Sequence, residues 1–236
     1  MQLALPGGGP VATHAAACDP HADFSGATVL DLGCGAGEQA RRIAAAHPVR
    51  EVIGVEADER QHAANAAAPA QPRLRFLPGR AEALPCADRS IDVALLFKSL
   101  HHVPPVAMDT AFAELARVVR PGGTVIVAEP VCDGAYDDLV RLFNDEHEAR
   151  VAAFAALERA ADGPAFDLVA ETFYRAPVHY RDFDDFARRM LQVSFRETTG
   201  DERVLAAVRE RFARAMDPDG ADFLQHMRAD VLRRRD

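Results

Sequence analysis

Tryptophan is absent from the 236 residues, and lysine occurs once, at Lys98. The formal net charge is −9, so no broad basic face is expected. Nucleic acid is therefore not expected as a partner, because such binding needs clustered cations to displace counterions. The closing "RRRD" is read as a solvated end. Abundant arginine and alanine beside scarce lysine are read as a compositional bias rather than a functional signal. No apolar run is long enough to span a bilayer, so no membrane is expected. "MQLALPGGGP" lacks a basic leader, which argues against a signal peptide. Cys18, Cys34, Cys86 and Cys132 fit neither a zinc spacing nor a disulfide framework. Reduced thiols and a cytoplasmic location follow as the simplest expectation. Without tryptophan, the 13 phenylalanines are expected to serve mostly as core.

What is present is a sharp alternation of elements. Residues 1–25 form an Ala/Gly/Pro/His-rich arm with a short helix near Val11–Cys18. From residue 26 onward the chain is expected to be one domain. "ATVLDLGCG" predicts a buried strand closed by glycines, and "GEQARRIAAAHP" a helix ending before Pro48. "REVIGVEAD", "RLRFLPG", "SIDVALLF" and "TVIVAEP" predict four more strands. Before the last of them, "VAMDTAFAELARVVRPGG" carries Met108, Phe112, Leu115 and Val119 on one helical face. Such alternation implies parallel strands joined by right-handed crossovers. After Pro130 it stops. "YDDLVRLFNDEHEARVAAFAALERAA" predicts one long helix. "DLVAETFYRAPVHYRDF" predicts an edge or bulged strand, because Pro177 lies inside it. Two more helices follow, and the turn signal "DPDG" favours a final strand over "ADFLQHMRADVLRR". The fold class is thus α/β, a seven-stranded, mostly parallel, doubly wound sheet. Residues 131–217 form a helical cover inserted after the fifth strand.

The chemistry gathers at two places. In "VLDLGCGAGEQA", Gly33, Gly35 and Gly37 close a strand and open a helix. Glycine permits the tight turn and a close backbone approach, and the helix start offers unpaired N–H groups. Glu56 ends the second strand, where a carboxylate can take ribose hydroxyls. The second place is "KSLHHVPP". Ligands of open parallel sheets bind beyond the carboxyl ends of the strands. That puts Lys98–Val103 and Glu129–Asp133 at the pocket. Histidine is suited to proton transfer near neutral pH, so His101, His102 and Glu129 are the candidate catalytic residues, with His101 expected to face an acceptor. No third ligand accompanies the histidine pair in the sequence, so no metal is expected. Lys98 is read as an exposed loop cation. His147, Tyr174, His179 and Tyr180 are candidate pocket-lining residues from the cover.

A dinucleotide-binding dehydrogenase shares the strand, glycine turn and acidic residue, but its fingerprint has two residues between the second and third glycines. Here only Ala36 separates Gly35 from Gly37. With the later "PGG", the set "DLGCGAG", "GVEAD", "GRAEALPCADRSIDVA" and "LARVVRPGGTVIVAEP" resembles the class I S-adenosylmethionine-dependent methyltransferases of small-molecule type. The resemblance runs over most of residues 27–130. It implies S-adenosylmethionine, or S-adenosylhomocysteine as product, held by Asp31, Gly33, Cys34, Gly35, Gly37, Glu56, Ala57, Arg80, Ala81, Glu82 and Phe97. The family pattern has aspartate where this chain has Arg80, which cannot accept a hydrogen bond. The implied adenine contact then moves to the Ala81 backbone, Glu82 or water. The resemblance further implies methyl transfer to a small-molecule acceptor by a monomer or homodimer. Its alternatives are a protein or RNA methyltransferase and a non-catalytic protein that binds the cofactor.

Overall fold

A computed structural model of the chain describes residues 1, 3, 4, 7, 9–191 and 201–236. The alternation becomes β1 (Thr28–Leu32), α2 (Glu38–Ala46), β2 (Glu51–Glu56), α3 (Glu59–Ala67), β3 (Leu74–Pro78), β4 (Ile91–Phe97), α4 (Met108–Val118) and β5 (Val119–Pro130). A short helix α1 (His14–Cys18) precedes them. The strands order as β3-β2-β1-β4-β5, all parallel. Two long antiparallel strands complete the sheet, β8 (Gly220–Arg234) beside β5 and β6 (Phe166–Tyr180) outside it. A two-residue strand β7 (Met216–Asp217) pairs with the start of β8.

Side-chain alternation explains why both faces are covered. Leu30, Ala94, Leu96, Val125 and Val127 point to one core, with α4. Val29, Val93, Leu95, Ile126 and Ala128 point to the other, with α2. Parallel strands buried on two faces are near-continuously apolar, as "IDVALLF" and "TVIVA" are.

The antiparallel half differs. β6 and β8 have 15 residues each, against 5–7 for β1 to β4. Pro130, the end of β5, pairs with Met227, while β8 begins at Gly220. The β6–β8 ribbon therefore overhangs the carboxyl edge of the parallel sheet. On that overhang sit α5 (Ala135–Val140), α7 (Phe183–Phe186) and α8 (Glu202–Ala213), around an aromatic core of Tyr136, Tyr180, Phe186, Phe212 and Phe223. Helix α6 (His147–Asp162) packs instead on the α4 side.

Three expectations change. The long helix after Pro130 is two helices, α5 and α6, broken at residues 141–146. Asp145 starts the second by accepting from the His147 amide at 3.1 Å. The segment read as a helical cover also contributes the sheet strand β6. That strand lies at the edge, with a register shift between Leu168 and Ala170 and Pro177 tolerated opposite Leu224. The N-terminal arm is docked rather than loose. Arg175 of β6 bonds to Pro10 and Ala12 of the arm, at 2.8 and 3.1 Å, so the arm covers the otherwise open sheet edge. Among the described residues no helix is long and apolar enough to cross a membrane.

The arm is held further by Tyr174, fully buried, whose hydroxyl meets His14 Nδ1 at 2.8 Å. Burial holds His14 down at about 4, with Lys98 and Arg42 adding to the effect. Tyr174→Phe should cost about 1 kcal/mol in urea unfolding, by removing the hydroxyl partner of a half-buried ring nitrogen. An unchanged midpoint would mean that the arm is not seated in solution.

Candidate functional site

The glycine turn is built by backbone necessity. Gly33, Gly35 and Gly37 all have positive φ, at 68°, 50° and 73°. Their surroundings differ in a way that defines a cradle. A Cβ on Gly33 would lie 2.6 Å from the Ser99 Cβ, and one on Gly37 would lie 2.6 Å from the Phe76 ring. A Cβ on Gly35 would meet nothing within 4 Å. Two glycines are thus packing requirements, and the middle one faces open space. The turn is pinned to β2, with Gly33 and Cys34 amides donating to Val55 O at 2.9 and 3.1 Å.

Glu56, at the end of β2, holds the turn from the other side. One carboxylate oxygen accepts from the Gly35 amide at 2.8 Å and the other from the Asp58 amide at 2.8 Å. Each oxygen keeps a second lone pair for a ligand hydroxyl. Ala57, between them, is exposed. Asn65 of α3 donates to Gly35 O at 2.7 Å; it is the one buried polar residue in an alanine-rich helix, and that contrast was its only sequence signal. Burial pushes the Cys34 thiol up, so it acts here as a packed, protonated side chain. Asp31 is 2% exposed, and its Oδ2 has no hydrogen-bond partner. Burial raises it to about 7, against the Ala40 amide and with help from Glu56.

At the β3–β4 connection Arg80 donates to Glu82 at 2.7 Å. Arg80 is exposed, Ala81 is buried, and the guanidinium holds the Glu82 carboxyl below its usual range. Phe97, the last residue of β4, meets the His14 ring edge-on at 5.8 Å.

The histidine pair lies on a single 3-10 turn, Leu100–His102, just beyond β4. His101 is 6% exposed while His102 is exposed, with their rings 4.1 Å apart. Glu129, at the end of β5, organises the turn. Its Oε1 accepts the Ser99 and Leu100 amides at 3.1 and 2.9 Å, and its Oε2 takes His101 Nδ1. A carboxylate can only accept, so the proton belongs on Nδ1 and Nε2 is left as a base. Nε2 faces Glu146 Oε2 at 3.6 Å. That same oxygen accepts from Arg150 of α6 at 2.9 Å. Arg150, 8% exposed, also pairs with Asp137 at 2.6 Å.

His101, His102 and Glu146 bring ligand atoms within 4.8 Å of one another. Glu146 is the third donor that the sequence did not place. Glu146 Oε2, the oxygen that faces His101, is also engaged by the Arg150 guanidinium. Of the cover residues, His147 lines a cavity of about 80 Å³ with Glu129, Arg150 and Arg228. Tyr174 and Tyr180 are core instead, and His179 is an exposed partner of Asp222 at 2.9 Å. Glu146, Arg150, Ser99 and Asn65 were missed because their roles rest on contacts between distant segments.

Lys98 takes an unexpected backbone state, φ 51°. For a residue with a Cβ this region costs about 1 kcal/mol. Its amide donates to Ala128 O at 2.8 Å, which fixes the twist at the exit of β4.

A family profile described as a methyltransferase domain matches residues 29–123. The ubiquinone/menaquinone biosynthesis C-methyltransferase UbiE of Syntrophotalea carbinolica is 34% identical over 103 residues, which is 43% of this chain and 43% of that protein. The O-methyltransferase rstn1 of Aspergillus nomiae is 36% identical over 115 residues, 46% of this chain and 48% of that protein. The chain matches somewhat under half the length of these curated relatives. Among solved structures, the YcgJ protein of Bacillus subtilis superposes with a TM-score of 0.60 at 21% identity, over 92% of this chain and 96% of that one. A Haemonchus contortus phosphoethanolamine N-methyltransferase, solved with phosphomonomethylethanolamine and S-adenosylhomocysteine, gives 0.55 at 14% identity, over 91% and 50%. These two likenesses establish the fold.

The raised Asp31 carries a consequence for stability. The folded chain holds that proton more tightly than the unfolded chain does. The associated stability is complete below the ordinary aspartate range and is lost as pH climbs through about 7. Asp31→Asn keeps the shape and the Ala40 bond but removes the titration. In thermal melts without ligand it should exceed the wild-type chain at about pH 8, and that advantage should shrink at about pH 5. Parallel curves would show that Asp31 is not enclosed.

Proposed function

We propose that this chain, whose residues 29–123 match a methyltransferase-domain profile, is a class I S-adenosylmethionine-dependent methyltransferase that transfers a methyl group to a small-molecule acceptor. The observation that carries the reading is a juxtaposition on one sheet edge. An open glycine cradle and a buried histidine–carboxylate pair share that edge, joined through Ser99, which touches Gly33 and hands its amide to Glu129.

The residues present fit the cofactor. The open face at Gly35, the spare lone pairs of Glu56 and the orphan oxygen of Asp31 offer space, hydroxyl acceptors and a carboxylate for an amine. Gly33, Cys34, Gly35, Gly37 and Ala57 supply backbone around them. Arg80, Ala81, Glu82 and Phe97 would border the adenine side. When bound, the cofactor supplies a methyl group on a positively charged sulfur, activated for in-line displacement.

The protein's own work is then alignment, exclusion of water and proton transfer. Glu129 fixes the His101 ring and its tautomer, so Nε2 takes the proton of an acceptor hydroxyl or acidic carbon. Glu146 faces the same nitrogen and stabilises the imidazolium that results. His102, whose ring lies tilted against His101, borders the acceptor side. The relatives' names support a small acceptor, since they include a quinone-biosynthesis C-methyltransferase and an O-methyltransferase.

Isothermal titration of the purified chain should show binding of S-adenosylmethionine and S-adenosylhomocysteine; a chain that binds neither would overturn the reading. Gly35→Asn tests the cradle, because asparagine tolerates the left-handed backbone and its side chain meets no protein atom there. It should fold normally and lose at least about tenfold in affinity. His101→Ala should leave that affinity within about twofold but cut turnover about a hundredfold or more. Turnover is followed by mass spectrometry, as the gain of one CH2 on candidate acceptors.

A further inference from the structure

The only lysine in the chain stands where glycine would be easier. Lys98 leaves β4 with φ 51°, a region that glycine enters freely and other residues resist. The glycine turn that packs on the next residue, Ser99, uses glycine at each of its left-handed positions, Gly33, Gly35 and Gly37. At residue 98 the chain keeps a long cationic side chain instead. Strain retained on the wall of a site suggests that the side chain itself is needed there.

Its surroundings say for what. Lys98 is reached by solvent, yet it stands in a recess between charged walls. Glu38, in the first turn of α2, and Glu129 attract it, while Arg150 and Arg189 oppose it. The enclosing protein and the two arginines hold its ammonium below the ordinary lysine range. Among the described residues its side chain makes no hydrogen bond and no ion pair. The neighbouring arginines do: Arg42 with Asp19 at 2.6 Å, Arg150 with Asp137 at 2.6 Å, and Arg189 with Asp185 at 3.3 Å. Carboxylates otherwise stand near the strand ends and at the start of α2 on this edge: Asp31, Glu56, Glu129 and Glu38. Those can take hydroxyls and an amine, but none can take an anion. Among the described residues, Lys98 is thus a cation without a hydrogen-bonded carboxylate, on the segment between the end of β4 and the histidine pair.

We propose that Lys98 is the anion anchor of the cradle and binds the α-carboxylate at the amino-acid end of S-adenosylmethionine. The assignment rests on the methyltransferase reading above. It also accounts for the tolerated strain, since a glycine would satisfy the turn but leave the carboxylate unpaired.

The test compares S-adenosylhomocysteine with its decarboxylated counterpart, which lacks only that carboxylate, by isothermal titration. The wild-type chain should prefer the complete ligand by about tenfold to a hundredfold, the range for a hydrogen-bonded charge pair. Lys98→Gly should bind both ligands alike. Its melting temperature should equal or exceed that of the wild-type chain, because the backbone strain is relieved. Lys98→Arg should restore part of the preference. Retention of the full preference in Lys98→Gly, or an equal loss for both ligands, would overturn the assignment of Lys98 alone. A wild-type chain that binds neither ligand would overturn the methyltransferase reading, and the anchor with it.

Discussion

One buried carboxylate holds the working edge of this protein together. Glu129 accepts two successive backbone amides, Ser99 and Leu100, and the Nδ1 proton of His101. Hydrogen bonds to an ionised acceptor are roughly twice as strong as neutral ones, and three converging on one group make a rigid joint. Through it β5 dictates the shape of the turn after β4. Ser99 extends the joint to β1, since its hydroxyl donates to Leu32 O at 2.8 Å and its Cβ closes on Gly33. The glycine turn, the histidine and the end of β5 are therefore one mechanical unit. A shift in any of them is felt by the others at packing distance.

The sheet divides its labour around that unit. The parallel half supplies β1 to β4 as strands of 5–7 residues, with the central ones buried on both faces. In the antiparallel half, β6 and β8 run on past the edge, and the overhang gives α5, α7 and α8 something to pack on. Helix α6 returns to the parallel half and sends Glu146 and Arg150 toward His101. The histidine is thus gripped from below by the sheet and from above by a helix. An acceptor entering there meets a base whose orientation does not depend on the ligand.

Most of the parallel half was legible in the chain, because apolar runs, glycine turns and helix stops are local signals. The glycine turn and Glu56 were legible for the same reason. Pro177 correctly marked an edge strand, since a residue without an N–H is poorly placed in a central ladder. The break between α5 and α6 was not legible: the spacing of Leu139, Phe143 and His147 stays in helical phase across it. Nor was the docking of the arm, which depends on Tyr174 and Arg175, some 160 residues away. The two partners of His101 came out unequally. Topology pointed to Glu129, a strand end. Glu146 immediately precedes a helix whose start the sequence obscured.

The departures from local preference are informative in their placement. Positive φ at Arg73 and Arg89 falls at exposed residues of the turns leading into β3 and β4. Lys98 is different, since it lies on the carboxyl edge beside the cradle. Asp31 is a second departure on that edge, a buried acid whose proton is retained partly because Glu56 lies near. Without a ligand, then, the cradle sets carboxylate against carboxylate and twists a lysine backbone. Both tensions have the same remedy. A ligand carrying a cationic end and an anionic end would neutralise the acidic wall and engage the lone ammonium. Local rules are broken in a folded chain where function requires it, and here the two breaks are opposite in charge and lie near the ends of the adjacent strands β1 and β4.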